Sequence, residues 1–334
     1  MTALTSLTEV GAIDPERWPG GARGGYRIRF CSGDRVTTGS VFLPPPMPGR
    51  TEVPLCTWAH CFVGLDRQNA PSRRGLPGVE LKHLSRWIAD GFAVAVADFA
   101  GLDGHGHNPF PDPDGIAADV LAICPAAREL EPRIGNSVVA AGFCQGAAAV
   151  LRLPGVSHMY PGLDLRGIVS LAPPDYLSYF TTVTRDPDFP ADALTLVLLA
   201  GMRAADNRFH PRAHLTDAGA ALLDTIAPMP IPQMREVLAP FTVRDLGLCG
   251  LTRRPSIAAY LEYCSAIPEN DGIPIFLAAV DADPLTPRDS LRHCVRRLSA
   301  GGAAVTTALY TGEHLGILSS AAPEAVEWAL RTLR

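Results

Sequence analysis

Residues 137–150 read SVVAAGFCQGAAAV: an apolar run that suits a covered strand, then Gly142-Phe143-Cys144-Gln145-Gly146, then an alanine-rich helix former. A strand that turns sharply into a helix through the pattern Gly-x-nucleophile-x-Gly lifts its central residue to the top of a sheet. The flanking glycines are needed because side chains there would collide inside the turn. Cys144 holds the central position, and the strand-like run before it with the helix former after it meets the motif's mechanical requirement. The bland alternative is a buried structural cysteine that happens to stand between two glycines.

Such a turn makes two further demands in chain order: an acid after a later strand and a histidine after the last one. The stretch IFLAAVDADPLTP offers Asp283, four residues before Pro287, with Asp281 as a rival. ALYTGEHLG offers His314. In those roles His314 takes the thiol proton and later returns it to a leaving group, while Asp283 fixes the imidazole tautomer and stabilises the imidazolium. An oxyanion needs two N–H donors. One expected donor is the backbone of Gln145, at a helix N-terminus; the other comes from the loop AHCFVG, at Cys61 or Phe62.

The rest of the chain bounds the reading. Its 334 residues, 47% of them apolar, can bury one sizeable core with an insertion. A net charge of −5 and a single lysine, Lys82, leave no basic field for nucleic acid or an anionic membrane. The opening segment MTALTSLTEVGAIDPERW has no basic stretch followed by an apolar core, so a soluble, cytoplasmic protein is expected. Eight cysteines are scattered without a CxxC pair, which argues against zinc and against a disulfide scaffold.

Prolines and glycines punctuate short apolar runs, the look of alternating strands and helices. Strands are expected at 26–31, 37–43, 53–60, 93–98, 138–142, 167–172, 275–280 and 304–310. The first two alternate and suit an antiparallel edge hairpin; FAVAVAD and IPIFLAAV are continuously apolar, as strands covered on both faces must be. Helices are expected at 81–90, 116–130, 145–152, 288–300 and 323–333, with Pro287 and Pro323 in first turns. The expected class is α/β, a mostly parallel sheet with helices on both faces. Core residues 1–172 are followed by an inserted helical cap at 173–270, where prolines break the alternation, and the core returns at 271–334.

The stretches WAHCFVGLDRQNAPS, VADFAGLDGHGHNPF, AGFCQGAAAVL, AAVDADPLTP and GEHLG resemble, in order and spacing, the secretory lipases of the α/β-hydrolase fold, the lipase A type with a helical cap. The resemblance spans nearly the whole chain. It implies an α/β-hydrolase core, a lid-like cap, and ester hydrolysis by a triad that falls on Cys144, Asp283 and His314. Asp98 and Gly101 fall in a structural motif of that family. The departures are a cysteine for the family's serine, Phe143 for the elbow histidine, Cys61 for the glycine of AHG, Asn69 for the cysteine before APS, and no secretion signal.

A thiolate is a strong nucleophile but also a good leaving group, so its adduct with an unactivated alkyl ester tends to revert. Thioesters, enol esters and strained lactones suit Cys144 better. The leading expectation is covalent acyl chemistry on an activated small molecule, by hydrolysis or transfer. A second is elimination, in which His314 abstracts an acidic C–H and a carboxylate such as acetate leaves, a tailoring step of natural-product biosynthesis. A third is an inert binding protein.

Pocket residues are expected among Phe143, His107, Tyr176 and Tyr179, with Asn108 beside His107. The pair of histidines in GHGH lacks a third ligand, so no metal is expected. No cofactor is implied, and the expected partner is a small-molecule substrate.

Overall fold

The computed structural model describes residues 6–267, 270 and 272–334. Met1 to Thr5 of the opening segment, and Asp271, where the returning core is expected to begin, lie outside the described residues. Nine strands form one sheet: β1 (Leu7–Ala12), β2 (Gly24–Ser32), β3 (Arg35–Leu43), β4 (Val53–Ala59), β5 (Ala93–Ala97), β6 (Ile134–Phe143), β7 (Asp164–Leu171), β8 (Ile275–Val280) and β9 (Val305–Tyr310). Their spatial order is β1-β2-β3-β5-β4-β6-β7-β8-β9. Pairings from β1 to β5 are antiparallel, and those from β5 through β4 to β9 are parallel. Every residue of β5 and β8 is buried, as their unbroken apolar sequences require.

The principal helices are α1 (Gly78–Ala89), α2 (Pro113–Leu130), α3 (Gln145–Val150), α4 (Tyr176–Val183), α5 (Ala193–Ala205), α6 (Asp217–Ile226), α7 (Ile231–Leu238), α8 (Pro255–Ser265), α9 (Arg288–Ala300) and α10 (Ala322–Thr332). One face of the sheet packs Trp58, Val94, Val139 and Phe276 against Leu84, Trp87 and Ile88 of α1 and Val326 and Trp328 of α10. The other face meets α2 through Ile116 and Val120 and α9 through Leu298. Helices thus cover both faces of the sheet.

Between β7 and β8 the chain leaves the sheet and builds α4 to α8 around its own apolar cluster, including Phe180, Leu196, Leu199, Met234 and Leu261. Phe62, Leu65 and Phe110, from the loops after β4 and β5, join that cluster and bind the helical layer to the strands' carboxyl ends. Side-chain caps start these helices where the sequence places Asp or Thr. Asp175 accepts from Ser178 N, Asp192 from Leu194 N and Thr216 from Gly219 N.

Three sequence expectations are corrected. The hairpin of β2 and β3 is not the sheet's edge, because β1 pairs outside it; no burial pattern marks β1, since five of its six residues are exposed. The helix after Cys144 stops at Val150 and a separate short helix, Leu153–Val156, follows, because Pro154 fits a new first turn but not a continuing helix. Pro287 is the residue that caps α9 rather than its first residue.

Candidate active site

The elbow is built where β6 ends. Cys144 has φ 54° and ψ −116°, a left-handed backbone state that a residue with a Cβ adopts only under constraint. Its amide donates to Leu171 O of neighbouring β7 at 3.1 Å, and its carbonyl accepts from Ala148 N at 3.2 Å. The two glycines are sterically required. A Cβ on Gly142 would collide with Gly146 O, and one on Gly146 would collide with Ala59 O in β4, both far inside contact distance.

Asp283 and His314 arrive from the turns after β8 and β9. His314 Nδ1 lies 2.7 Å from Asp283 Oδ2, and the Asp283 side chain is fully buried. The other carboxylate oxygen, Oδ1, accepts from Leu285 N at 2.9 Å, so the acid is held from both sides. Phe143 packs beneath the imidazole, its ring centroid 4.8 Å from that of His314. With Nδ1 engaged by Asp283, Nε2 is the nitrogen left over; it is buried and, apart from Cys144, has no partner among the described residues. Burial disfavours the charged imidazole, yet the neighbouring Cys144 side chain and the Asp283 hydrogen bond outweigh it and push His314 up to about 10. Asp281 does not reach the imidazole. It accepts from Gly312 N at 3.1 Å and lies 3.7 Å from Arg288, bracing the loop.

On the donor side, Gln145 is the first residue of α3, and its amide has no acceptor within the helix. The two loop amides diverge. Cys61 N points at Glu80 Oε1, 3.4 Å away, and the Cys61 thiol donates to the same oxygen at 2.9 Å. Among the described residues Phe62 N makes no hydrogen bond, so of the two residues it is the one with a donor to spare. Glu80, absent from the sequence expectations, is fully buried and also accepts from Trp58 Nε1 at 2.6 Å. Burial raises its carboxyl to about 7 despite the hydrogen bonds from Cys61 and Trp58. A signal for it exists: Glu80 falls four residues before Leu84 and seven before Trp87, on the buried stripe of α1. His60, between the loop and the core, stacks on Phe99 at 3.9 Å, and burial lowers it to about 4, so the ring is neutral.

The remaining expected pocket residues separate. Phe143 is fully buried core. His107 is exposed and lines a surface cavity with Arg203, His210 and Arg212. Asn108 is buried, and its Oδ1 accepts from Gln145 Nε2 at 3.1 Å, tying the loop after β5 to the elbow. Tyr176 is buried at 1% exposure with no partner for its hydroxyl. Tyr179 is partly buried beside Asp192. Asp98 serves packing: it accepts from Ser72 N at 2.9 Å and Thr38 Oγ1 at 2.6 Å. Asn69 takes a different job from a cysteine, donating to Pro228 O of the helical layer at 3.3 Å. Among the described residues no group of three His, Cys, Asp or Glu is arranged to hold a metal, and no helix is long and apolar enough to cross a membrane.

No protein-family model matches the sequence, and no curated protein does. Solved structures do match. Candida antarctica lipase A in its closed state is similar over 98% of this chain and 82% of its own, with a TM-score of 0.77 and 16% identity. The rice cell wall degrading esterase LipA from Xanthomonas oryzae is similar over 98% of both chains, with a TM-score of 0.73 and 14% identity. A point mutant of that esterase is similar over 99% of both, with a TM-score of 0.75 and 14% identity. The chain has the α/β-hydrolase fold.

Proposed function

We propose that the chain is an enzyme of acyl chemistry in which Cys144 is the nucleophile, His314 the base and Asp283 the residue that orients it. The reading is supported above all by one observation: the strained Cys144 backbone carries a side chain that acts directly on the ring of a His314–Asp283 pair. The solved structures with this fold include a lipase and an esterase, which supports ester-like substrates.

In this mechanism the Cys144 thiolate attacks the acyl carbon, the C–S bond forms, and the carbonyl π pair moves onto oxygen. Gln145 N–H and Phe62 N–H hold that oxyanion. Collapse restores the carbonyl and breaks the bond to the leaving heteroatom, which takes the proton from His314 Nε2. Water or another acceptor, deprotonated by His314, then releases the acyl group. Because the thiolate leaves as readily as it attacks, productive collapse needs a leaving group at least as good. The substrate class is therefore an activated ester, lactone or thioester.

The test is turnover of phenyl thioacetate in ¹⁸O-enriched water by the wild type and by Cys144→Ala. The expected result is ¹⁸O in the released acetate and a loss of about a thousandfold or more in kcat/KM for the variant. Full activity of Cys144→Ala would overturn the covalent mechanism. Elimination is a separate reaction, tested with a carboxylate ester that carries an acidic C–H beside its departing carboxylate: an unlabelled carboxylate would assign C–O elimination.

A further inference from the structure

Tyr176 opens α4, five residues after β7 ends beside the elbow. Its ring is fixed on two sides: Phe110 meets it edge-on at 5.3 Å and Phe180 stacks at 6.2 Å. The backbone is pinned too, since Asp175 N donates to Leu285 O at 2.8 Å and Ser290 Oγ donates to Asp175 Oδ2 at 2.6 Å. Yet the hydroxyl at the end of this fixed ring is buried and has no hydrogen-bond partner among the described residues. Buried hydroxyls are almost always paired, because leaving one unpaired forfeits its bonds to water. After burial itself, the groups that act on the phenol are Cys144 first, then Cys264 and Tyr260 of α8 and last Cys61, so the hydroxyl stands between the elbow and the helical layer; burial raises its pKa well above the ordinary value, so it stays a donor at any working pH.

We propose that Tyr176 is a specificity-determining residue whose hydroxyl donates a hydrogen bond to an oxygen acceptor of the substrate, on the acyl side of the reacting carbon. The class selected is an acyl group carrying a further oxygen, such as a 3-oxoacyl group, over a plain alkyl chain. This rests on Cys144 being the reacting residue. A site with a rigid, dehydrated donor rejects an analogue that lacks the acceptor, because binding that analogue leaves the donor still unpaired and away from water. A hydrocarbon acyl chain is such an analogue.

The experiment needs no turnover. N-propyl-3-oxobutanamide and N-propylbutanamide, which have no good leaving group, are titrated for protection of Cys144 against iodoacetamide, followed on the Cys144 peptide by mass spectrometry. In the wild type the 3-oxo amide should half-protect at a concentration about tenfold or more below that of the butanamide. In Tyr176→Phe the two should protect within about twofold of each other. The melting temperature of Tyr176→Phe should equal or exceed that of the wild type, since the lost hydroxyl has no partner among the described residues. An unchanged preference in the variant, no protection by either amide, or a lowered melting temperature would each overturn the proposal. Failure of acyl transfer from phenyl thioacetate would instead strike the covalent mechanism and leave the protection ratio readable.

Discussion

Cys144 is surrounded by ionisable side chains that have been taken out of water for different ends, and the clearest contrast is between His314 and Glu80. His314 gains a proton from its surroundings; Glu80 is made reluctant to lose one. For Glu80 the consequence can be measured. Its folded value of about 7 stands above the 4.5 of an ordinary glutamate, so the folded chain holds this proton more tightly than the unfolded chain. The associated stability is fully present below pH 4.5 and is lost as pH rises through 7. Relative to Glu80→Gln, which cannot titrate, the wild type should lose about 3 kcal/mol in urea unfolding between pH 4.5 and pH 8. A difference between the two proteins that does not change with pH would contradict the buried, titrating carboxyl. Sequence alone hid this residue because a single acid on an apolar stripe looks like an interruption of the pattern, whereas its three donors come from Trp58 and Cys61, far away in the chain.

At the scale of elements, the elbow is a contact between three backbones that leaves no room for side chains. Gly146 in α3 lies against Ala59 O of β4, and Gly142 in β6 against Gly146 O. Gly146→Ala should therefore cost about 1–3 kcal/mol or more in denaturant unfolding and reduce kcat together with stability, because the only relief is to move the elbow. Wild-type stability and activity in that variant would show that the turn is loosely packed. This contact was legible: the G-x-C-x-G spacing with its flanking run and helix former specifies the turn locally. The parallel strands were legible for the same kind of reason, since β5 and β8 are buried throughout and read as unbroken apolar runs. β1 was not. LTEVGA buries almost nothing, so its pairing with β2 rests on backbone hydrogen bonds and on exposed contacts such as Thr8 Oγ1 to Arg29 O and Glu9 with Arg29, which no burial pattern records. Nor do residue types separate the amides of Cys61 and Phe62, which differ in that Cys61 N is directed at Glu80.

Over the whole molecule, the sheet's parallel half gathers residues that the chain keeps far apart. Cys144 follows β6, Asp283 follows β8 and His314 follows β9, so all three emerge at the carboxyl ends of their strands. The helical layer between β7 and β8 is fastened to this end through Arg152, which donates to Ala266 O at 2.6 Å and Tyr263 O at 3.0 Å. Tyr260 adds a bond to Pro109 O at 3.0 Å. Chain order predicted the convergence of the acid and the histidine, but the choice of Asp283 over Asp281 needed the turn's geometry, in which Asp281 is spent on Gly312. In the proposed mechanism the thiol and the imidazole act together, and their coupling is open to a direct chemical measurement. The rate of iodoacetamide alkylation at the Cys144 peptide should fall about tenfold or more at pH 6.5 when His314 is replaced by alanine, because the proposed base that takes the thiol proton is gone. An unchanged rate in His314→Ala would mean that the sulfur and the ring do not act on each other.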